Sequence, residues 1–405
     1  MNPSSQPPHD PVVLRLRSNA TDLADHQTGL VTLQVQPSNV KTRVQFPGLN
    51  TIRFYAALAV IVIHVSDHFP PDHIFFQIVK LFFPDSQSAV NLFFVLSGFL
   101  ITHLLLSERK TTGRINIRNF YIRRTLRIWP LYYWVTLLGL VIFPILFGPS
   151  YPITDMPRYR IVLAFGLLPN FTVILWPMLH LWSIGVEEQF YALWPWVNRN
   201  DLTVLRVSFG IIIVKLLVTP IILSFNNEWI TATFFYSLRF ECMAIGALGA
   251  YLYTYKFHYM KWIYHPWVQT ATFGAFIYLG VFDVGNNTYN TIWTSLAYIV
   301  FIMNVATNHH SLLKLNFRPI EKLGEISYGL YLYHFPILYL IYFTAQKTGF
   351  EIMWTSPFLL LIITLGSTWA IAAVSYHWFE KPFLNLKKKF SSPDLHSNAA
   401  GKIME

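Results

Sequence analysis

The chain has 405 residues, of which 54% are hydrophobic and 12% are charged. Soluble domains carry about 25% charged residues, so this composition excludes an ordinary soluble protein and predicts a polytopic membrane protein. Lys and Arg outnumber Asp and Glu by 30 to 20, an excess that the positive-inside rule explains without a nucleic-acid partner. Because Cys242 is the sole cysteine of the sequence, neither an intramolecular disulfide nor a thiolate metal cluster is expected.

The two ends of the chain differ from the rest. Residues 1–45 are rich in Pro, Ser, Asn and Gln and contain no long apolar run, which is typical of a mobile polar tail. Residues 386–405 begin with the basic run LKKKF, which marks a second cytoplasmic tail. Residues 46–385 are therefore the expected membrane domain.

Apolar stretches recur along this domain, most of them about 20 residues long, the length of a membrane-spanning helix. They cover roughly residues 51–69, 89–107, 126–148, 160–197, 203–223, 232–255, 263–282, 288–307, 326–345 and 356–378. The basic loops fit about ten crossings with both termini in the cytoplasm. Stretch 160–197 then makes one net crossing, so we expect a broken or re-entrant segment there, at Pro169, Pro177 and Pro195. The predicted fold is an all-α polytopic membrane protein.

The first apolar stretch, TIRFYAALAVIVIHVSDHF, carries two polar groups. Arg53 and His64 are eleven positions apart, which returns to nearly the same helix face about 16 Å further along the axis. An ionisable group at membrane depth costs roughly 2.5–3.5 kcal/mol on insertion scales, so it usually faces a cavity or a partner. Arg53 can extend to the headgroups, whereas His64 needs either a structural hydrogen bond or a catalytic role.

A metal site is the competing interpretation of the same region. The run HVSDHFPPDH contains the candidate ligands His64, Asp67, His68, Asp72 and His73. Histidines four residues apart share a helix face, as in many zinc sites. The Pro-Pro pair ends the helix at this point, so we predict no metal site.

Three arginines stand at the start of the third crossing, in RNFYIRRTLRIWP: Arg123, Arg124 and Arg127. Two roles are open for them. Basic residues at a membrane boundary anchor a helix to lipid phosphates, and they also capture phosphorylated ligands from the cytosol.

Polar side chains also recur inside later apolar segments. HLWSIGVEEQFYALWP carries a stripe with four-residue spacing, formed by Ser183, Glu187 and Tyr191. Glu188 lies about 100° away from that stripe, which favours Glu187 as the functional carboxylate. Comparable groups are Arg239 with Glu241, and Ser327 and Tyr328 with His334. Structural pairing explains any one of these groups, but the whole set indicates function.

Seven elements, in order, resemble the membrane acyltransferase-3 family, which acylates hydroxyls of surface polysaccharides, peptidoglycan or small molecules. They are RFYAALAVIVIH, NLFFVLSGFLIT, FYIRRTLRIWPLYY, HLWSIGVEEQFYALWP, RFECMAIGALGAY, LGEISYGLYLYHFPIL and YHWFEKPF. Together they run from about residue 48 to residue 384. The resemblance covers the whole predicted membrane domain.

The resemblance implies roles for the residues identified above. Arg53 and His64 are expected to be essential, with His64 as general base and Glu187 orienting it or lining the acceptor path. The arginines of the third crossing, Arg123, Arg124 and Arg127, are expected to bind the donor, acyl-coenzyme A. Supporting roles fall to Ser183, Tyr191, Arg239, Glu241, Ser327 and His334. No bound cofactor is implied.

The implied activity is O-acyl transfer, most simply acetyl transfer from cytosolic acetyl-CoA to a surface glycan such as an O-antigen, including a lipid-linked one. The implied location is the inner membrane. Many relatives carry a fused extracytoplasmic hydrolase-like domain; we expect none here, so transfer is expected to finish in the membrane domain or on a partner protein. Three alternatives stay open: acylation of a small molecule such as a macrolide antibiotic, transport, and a non-catalytic role in a polysaccharide-assembly complex.

Overall fold

The fold is known from a computed structural model, which describes residue 46 and residues 48–82, 86–154, 156–172, 176–225, 227, 238–281, 288–350 and 356–390. The predicted tail 1–45 and residues 391–405 of the predicted C-terminal tail lie outside these residues.

The described residues form helices and connecting turns, without a β-strand. The α-helices are α1 (Leu49–Ser66), α2 (Ile74–Phe82), α3 (Ser86–Thr112), α4 (Ile117–Leu137), α5 (Phe143–Phe147), α6 (Arg158–Phe165), α7 (Leu181–Val197), α8 (Asp201–Ser224), α9 (Phe240–Tyr255), α10 (Met260–Ile263), α11 (Pro266–Val281), α12 (Thr288–Thr307), α13 (Arg318–Glu325), α14 (Ser327–Thr348), α15 (Pro357–Ser375) and α16 (Lys381–Lys387). Turns of π-helix lie at Leu138–Ile142 and Tyr376–Glu380. Turns of 3₁₀-helix lie at Gly148–Ser150, Pro169–Phe171, Phe257–Tyr259 and Lys388–Phe390.

Six helical stretches are long and apolar enough to cross a membrane, within the described part of the chain. They are Leu49–Ser66, Ile74–Thr112, Ile117–Ser150, Asp201–Ser224, Thr288–Thr307 and Pro357–Phe390. The bent pair α13 and α14 makes a seventh if it counts as one span. The all-helical membrane fold is confirmed, but the expected number of about ten crossings is not. One reason is length, because α7 has 17 residues and α9 and α11 have 16 each, short of the roughly 20 that a hydrocarbon core requires.

Helix α1 lies at the centre of the bundle. In its spanning window 67% of the residues are buried, against 17% for α8. It packs against α3, α13, α14 and α15. Its apolar, β-branched sequence suits such a buried position. The helix starts after Gly48, whose φ of 77° needs a residue without a Cβ, and it ends at Ser66, before the Pro-Pro pair.

Helices α3 and α9 pack backbone to backbone through two glycines. A Cβ at Gly98 would lie 2.0 Å from the carbonyl oxygen of Met243, and a Cβ at Gly246 would lie 2.1 Å from that of Val95. Both distances are far below contact distance, so each position requires glycine. Small residues at helix crossings are typical of membrane bundles, where close packing rather than hydrophobic burial holds helices together.

The stretch 160–197 is broken, as the sequence predicts. Helix α6 ends at Phe165, a 3₁₀ turn follows at Pro169–Phe171, and α7 begins at Leu181. The turn packs directly on α7, since a Cβ at Gly185 would lie 2.7 Å from Asn170 Oδ1. Asn170 and Gln189 exchange side-chain hydrogen bonds of 3.2 and 2.6 Å, which holds the non-helical piece against protein, as membrane depth requires. The sequence also predicted a break at Pro195, which was wrong. Pro195 lies inside α7, near the end of that helix.

Helices α13 and α14 meet at a bend of 63° around Ile326. Just before the bend, Gly324 touches the start of α1, since a Cβ there would lie 2.0 Å from the carbonyl oxygen of Asn50. From this contact α14 runs alongside α1. Residues near the far end of α1, such as His64, therefore contact residues of α14.

Candidate functional site

Helix α1 presents Arg53 and His64 to two different sets of neighbours. Arg53 lies within electrostatic range of Arg124, Arg127 and Glu187, whereas His64 contacts His334. Eleven residues of helix separate the two, which corresponds to about 16 Å. We call the group of Arg53, Arg124 and Arg127 the arginine layer, and the group of His64, His180 and His334 the histidine layer.

The arginine layer brings three cations together from two helices. Arg53 comes from α1 and bonds the side chain of Asn50 at 3.1 Å, while Arg124 and Arg127 come from adjacent turns of α4. The Arg124 guanidinium carbon lies 5.8 Å from the ring centroid of Tyr191, a cation–π distance.

These three arginines are not neutralised by ion pairs. In the described part of the chain none of them forms a salt bridge with a carboxylate, and Nε of Arg124 is buried with no hydrogen-bond partner. Like charges in a low-dielectric bundle repel one another. The arrangement therefore favours an anion between them.

Two neighbouring carboxylates of α7 lie beside this layer. Ser97 of α3 donates a hydrogen bond of 2.6 Å to Glu187 Oε1, and Trp129 of α4 donates one of 2.7 Å to Glu188 Oε2. Glu187 is within electrostatic range of Arg53 and Tyr191, which agrees with the predicted stripe. Glu188 Oε1 is buried without a hydrogen-bond partner. The motif thus contributes two carboxylates, of which the sequence pattern singled out the first.

The histidine layer centres on a direct bond between two imidazoles. Nδ1 of His64 lies 3.1 Å from Nε2 of His334, and the two ring planes are 3° apart. Nδ1 of His334 lies 2.5 Å from the carbonyl oxygen of Tyr331. Phe335 packs against both rings, with centroids at 4.3 and 4.6 Å. His334 is 1% exposed, whereas His64 is partly exposed.

The third histidine of this layer, His180, was not singled out from the sequence. Its ring centroid lies 5.2 Å from that of His334, and its Nε2 lies 3.0 Å from the carbonyl oxygen of Leu332. That carbonyl is four residues before Pro336, which has no N–H to bond it. The proline in the HFP run of α14 indicates that a carbonyl one turn earlier lacks its helical hydrogen bond. Only the fold shows that His180 bonds this carbonyl.

Helix α7 connects the two layers. Near its start Ser183 donates a hydrogen bond of 3.1 Å to the carbonyl oxygen of His180, and two turns later Tyr191 faces Arg124. The predicted stripe therefore touches the histidine layer at one end and the arginine layer at the other.

Comparison with known proteins decides the family. The model of an acyltransferase domain, of the acyltransferase-3 type, matches residues 46–376. The chain belongs to the acyltransferase-3 family. This confirms the predicted family and the acyltransferase class, and it accounts for most of the chain.

Curated relatives agree with this assignment. The O-acetyltransferases OatA of Staphylococcus aureus strains NCTC 8325 and COL are each 26% identical over 366 residues. The alignments cover 83% of this chain and 57% of each relative, so the chain matches little more than half the length of these proteins. No solved structure gives a significant match.

The acyltransferase-3 fold separates one predicted donor residue from the other two. Arg123 Nη2 forms a salt bridge of 2.9 Å with Glu108 Oε2, and Nη1 donates to the carbonyl oxygen of Phe390 at 2.9 Å. Glu108 is 1% exposed and also accepts from the backbone N–H of Asn116. Arg123 thus joins α3, α4 and the C-terminal turn, whereas Arg124 and Arg127 belong to the arginine layer.

Four other polar residues that the sequence pattern singled out lie outside both layers. Arg239 donates to Asn91 at 2.9 Å and to Gln87 at 2.6 Å, and Glu241 lies 3.8 Å from Lys215. Ser327 donates to the carbonyl oxygen of Gly324 at 2.8 Å, at the bend before α14. Tyr328 donates to the carbonyl oxygen of Ile128 at 3.0 Å, which joins α14 to α4.

The metal interpretation gains no support from the geometry. His68 lies one turn beyond His64, with Nδ1 2.8 Å from the carbonyl oxygen of His64, and Asp67 lies 3.8 Å from Lys80. Over the described residues no group of three or more His, Cys, Asp or Glu side chains is placed to hold an ion.

Proposed function

We propose that this acyltransferase-3 protein transfers an acyl group, in the simplest case acetyl, from acyl-coenzyme A to a hydroxyl of a surface glycan, including a lipid-linked one. The observation that carries the proposal is the layered site: three arginines without a carboxylate salt bridge at one level of α1, and a histidine with an open ring nitrogen about 16 Å away. One layer suits a polyanion and the other suits a general base.

The arginine layer is the proposed binding site for the donor phosphates. Coenzyme A carries a pyrophosphate and a 3′-phosphate, and guanidinium groups bind phosphate oxygens through planar, charge-assisted hydrogen bonds. Bound phosphate would remove the mutual repulsion of Arg53, Arg124 and Arg127. The extended pantetheine arm then reaches from this layer to His64.

The histidine layer is the proposed reaction centre. His64 takes the proton of the acceptor hydroxyl while the hydroxyl oxygen attacks the thioester carbonyl carbon. The carbon–sulfur bond breaks as the tetrahedral intermediate collapses, and His64 returns the proton to the thiolate, so the products are the ester and free coenzyme A. Glu187 lies beside the donor's path, where it positions Arg53.

The proposed location is the inner membrane, with the arginine layer toward the cytoplasm. Basic residues support this orientation, because Arg109 and Lys110 lie in the last turn of α3 and Arg114 lies between α3 and α4, at the end of the bundle near the arginine layer. The names of the relatives, which are O-acetyltransferases, support an oxygen acceptor. The glycan itself rests on the family resemblance.

The test combines cells and purified protein. Mass spectrometry of surface glycans from cells with and without the gene should show a mass increment of one acetyl group per modified sugar, lost in the deletion strain. Purified protein in lipid nanodiscs should release free coenzyme A from acetyl-CoA only when the extracted acceptor glycan is present.

Two outcomes would overturn the proposal. Unchanged glycans together with acylation of a small molecule would move the acceptor to that class. Movement of a labelled substrate into sealed vesicles without consumption of acetyl-CoA would identify a transporter.

A further inference from the structure

We propose that His334 is a positioning residue that fixes the tautomer of His64, so that the lone pair of His64 Nε2 faces the reaction space. This inference rests on the proposed acyl transfer, and it adds how the base is prepared. It follows from a chain of three polar groups, the Tyr331 carbonyl and the imidazoles of His334 and His64, each of which decides the role of the next.

The chain starts at a backbone carbonyl. The oxygen of Tyr331 can only accept a hydrogen bond, and it lies 2.5 Å from Nδ1 of His334. Nδ1 of His334 must therefore carry a proton. In a neutral imidazole the other nitrogen, Nε2, then has a lone pair and acts as an acceptor.

A neutral His334 is the form that its surroundings allow. The side chain is 1% exposed, and across the described residues no carboxylate is hydrogen-bonded to it. If His334 were protonated, its positive charge would be buried without a counter-ion, beside a second imidazole. Burying an unpaired charge in a low-dielectric site costs much free energy.

The second link is the bond between the two rings. Since Nε2 of His334 is an acceptor, Nδ1 of His64 at 3.1 Å must be the donor. The ring planes are 3° apart, so the N–H of one ring and the lone pair of the other lie in parallel planes. His64 is thereby held with its proton on Nδ1.

The last link is the free nitrogen of His64. With the proton on Nδ1, the lone pair of the neutral ring is on Nε2, the nitrogen that a general base needs. In the described part of the chain Nε2 has no hydrogen-bond partner, and the side chain is partly exposed. A hydroxyl can therefore approach it.

His334 also contributes after the proton has moved. When His64 becomes an imidazolium, its Nδ1–H still donates to His334 Nε2, and that hydrogen bond becomes charge-assisted and stronger. A bond that strengthens as the reaction proceeds stabilises the transition state more than the ground state. The other titratable groups facing His64 are His68, Lys80 and His180.

The first experiment compares two substitutions at one position. His334→Leu removes the acceptor, whereas His334→Gln keeps an amide oxygen near the position of Nε2. We expect the leucine variant to lower kcat about 100-fold or more, with the KM for acetyl-CoA unchanged, and the glutamine variant to recover a large part of that loss. His68→Leu, one turn away, is the matched control.

The second experiment reads the tautomer directly. In ¹⁵N-histidine-labelled protein in nanodiscs, protonated and unprotonated ring nitrogens give well-separated resonances, and a His64→Gln sample identifies the His64 signals. In the wild type we expect His64 to have a protonated Nδ1 and an unprotonated Nε2. In folded His334→Leu protein, which lacks the acceptor for Nδ1–H, we expect a mixture of the two tautomers.

These measurements separate the failure of this inference from the failure of the proposed function. A wild type that shows the expected tautomer but never transfers an acyl group would refute the function and leave the positioning role intact. A protonated Nε2 in the wild type, or active and folded His334→Leu protein with unchanged kcat, would overturn the positioning role. If the leucine variant does not fold, the glutamine variant and the wild-type spectrum decide the question.

Discussion

Two groups of cations in this bundle are held in opposite ways. In the Arg239 network, which consists of Arg239 with Asn91, Gln87 and Thr291, the guanidinium donates hydrogen bonds of 2.9, 2.6 and 3.3 Å to those side chains. Nearby, the Lys215 ammonium lies 3.8 Å from the Glu241 carboxylate. Protein groups compensate the buried charge, as stability requires.

In the arginine layer the protein supplies much less compensation. Arg53 has one described hydrogen bond, to Asn50 at 3.1 Å, and Nε of Arg124 is buried with no hydrogen-bond partner. The arginines of both groups were predicted as site residues: Arg53 as catalytic, Arg124 and Arg127 as donor-binding, and Arg239 as supporting. We interpret the difference as one of role: the buried Arg239, which has several protein partners, stabilises the fold, and the partly buried arginines of the arginine layer are proposed to bind a ligand.

The largest effect should come from the base itself. His64→Asn keeps a donor near the position of Nδ1 but removes Nε2, so acyl transfer from acetyl-CoA should fall about 1000-fold while the protein stays folded. His68→Asn, on the exposed next turn, is the control and should keep full activity. Substantial transfer by folded His64→Asn protein would remove the general-base mechanism.

The Arg239 network should respond in stability and not in donor binding. Arg239→Leu leaves the polar side chains of Asn91, Gln87 and Thr291 without their partner in a buried site, which should lower the free energy of unfolding by about 3 kcal/mol. The measurement is the unfolding midpoint in detergent, with the KM for acetyl-CoA determined in parallel at a permissive temperature. An increase in KM without loss of stability would erase the distinction between the two networks.

Neighbouring arginines of α4 allow the sharpest test of that distinction. Arg127→Gln should raise the KM for acetyl-CoA about 10-fold or more, because a charge-assisted phosphate contact contributes about 1.5–3 kcal/mol. Arg123→Gln makes the same chemical change four residues earlier on the helix. It should leave KM unchanged and lower the unfolding midpoint, since it breaks the salt bridge with Glu108. Equal effects of both substitutions on KM would mean that the two arginines act together.

Part of this site could be predicted from the sequence because it follows from helix geometry alone. Arg53 and His64 share a face because eleven residues complete about three turns, and Pro169 marks the broken segment because proline lacks an N–H. The family followed from ordered motifs. These features depend on residues close in sequence.

The rest depends on contacts between distant helices. Arg123, Arg124 and Arg127 look alike in the sequence, and only the position of Glu108 on α3 removes Arg123 from the group. His180 joins the histidine layer because the chain just before α7 places it opposite the carbonyl of Leu332. The expected ten spans are not confirmed among the described residues, because hydropathy does not reveal where short helices such as α9 fall below spanning length.

The smallest predicted effect tests the ligand argument without any catalysis. If the arginine layer awaits phosphate, free coenzyme A should stabilise the folded protein, by about 1.4 kcal/mol at ten times its Kd, although it has no acyl group to transfer. The stabilisation should disappear in Arg127→Gln and persist in Arg123→Gln, measured as the shift of the unfolding midpoint with ligand. Dephospho-coenzyme A, which lacks the 3′-phosphate, should give a smaller shift at the same concentration. Equal shifts in both variants would place the phosphates elsewhere, because ligand binding stabilises a protein only through the contacts that the folded state makes with it.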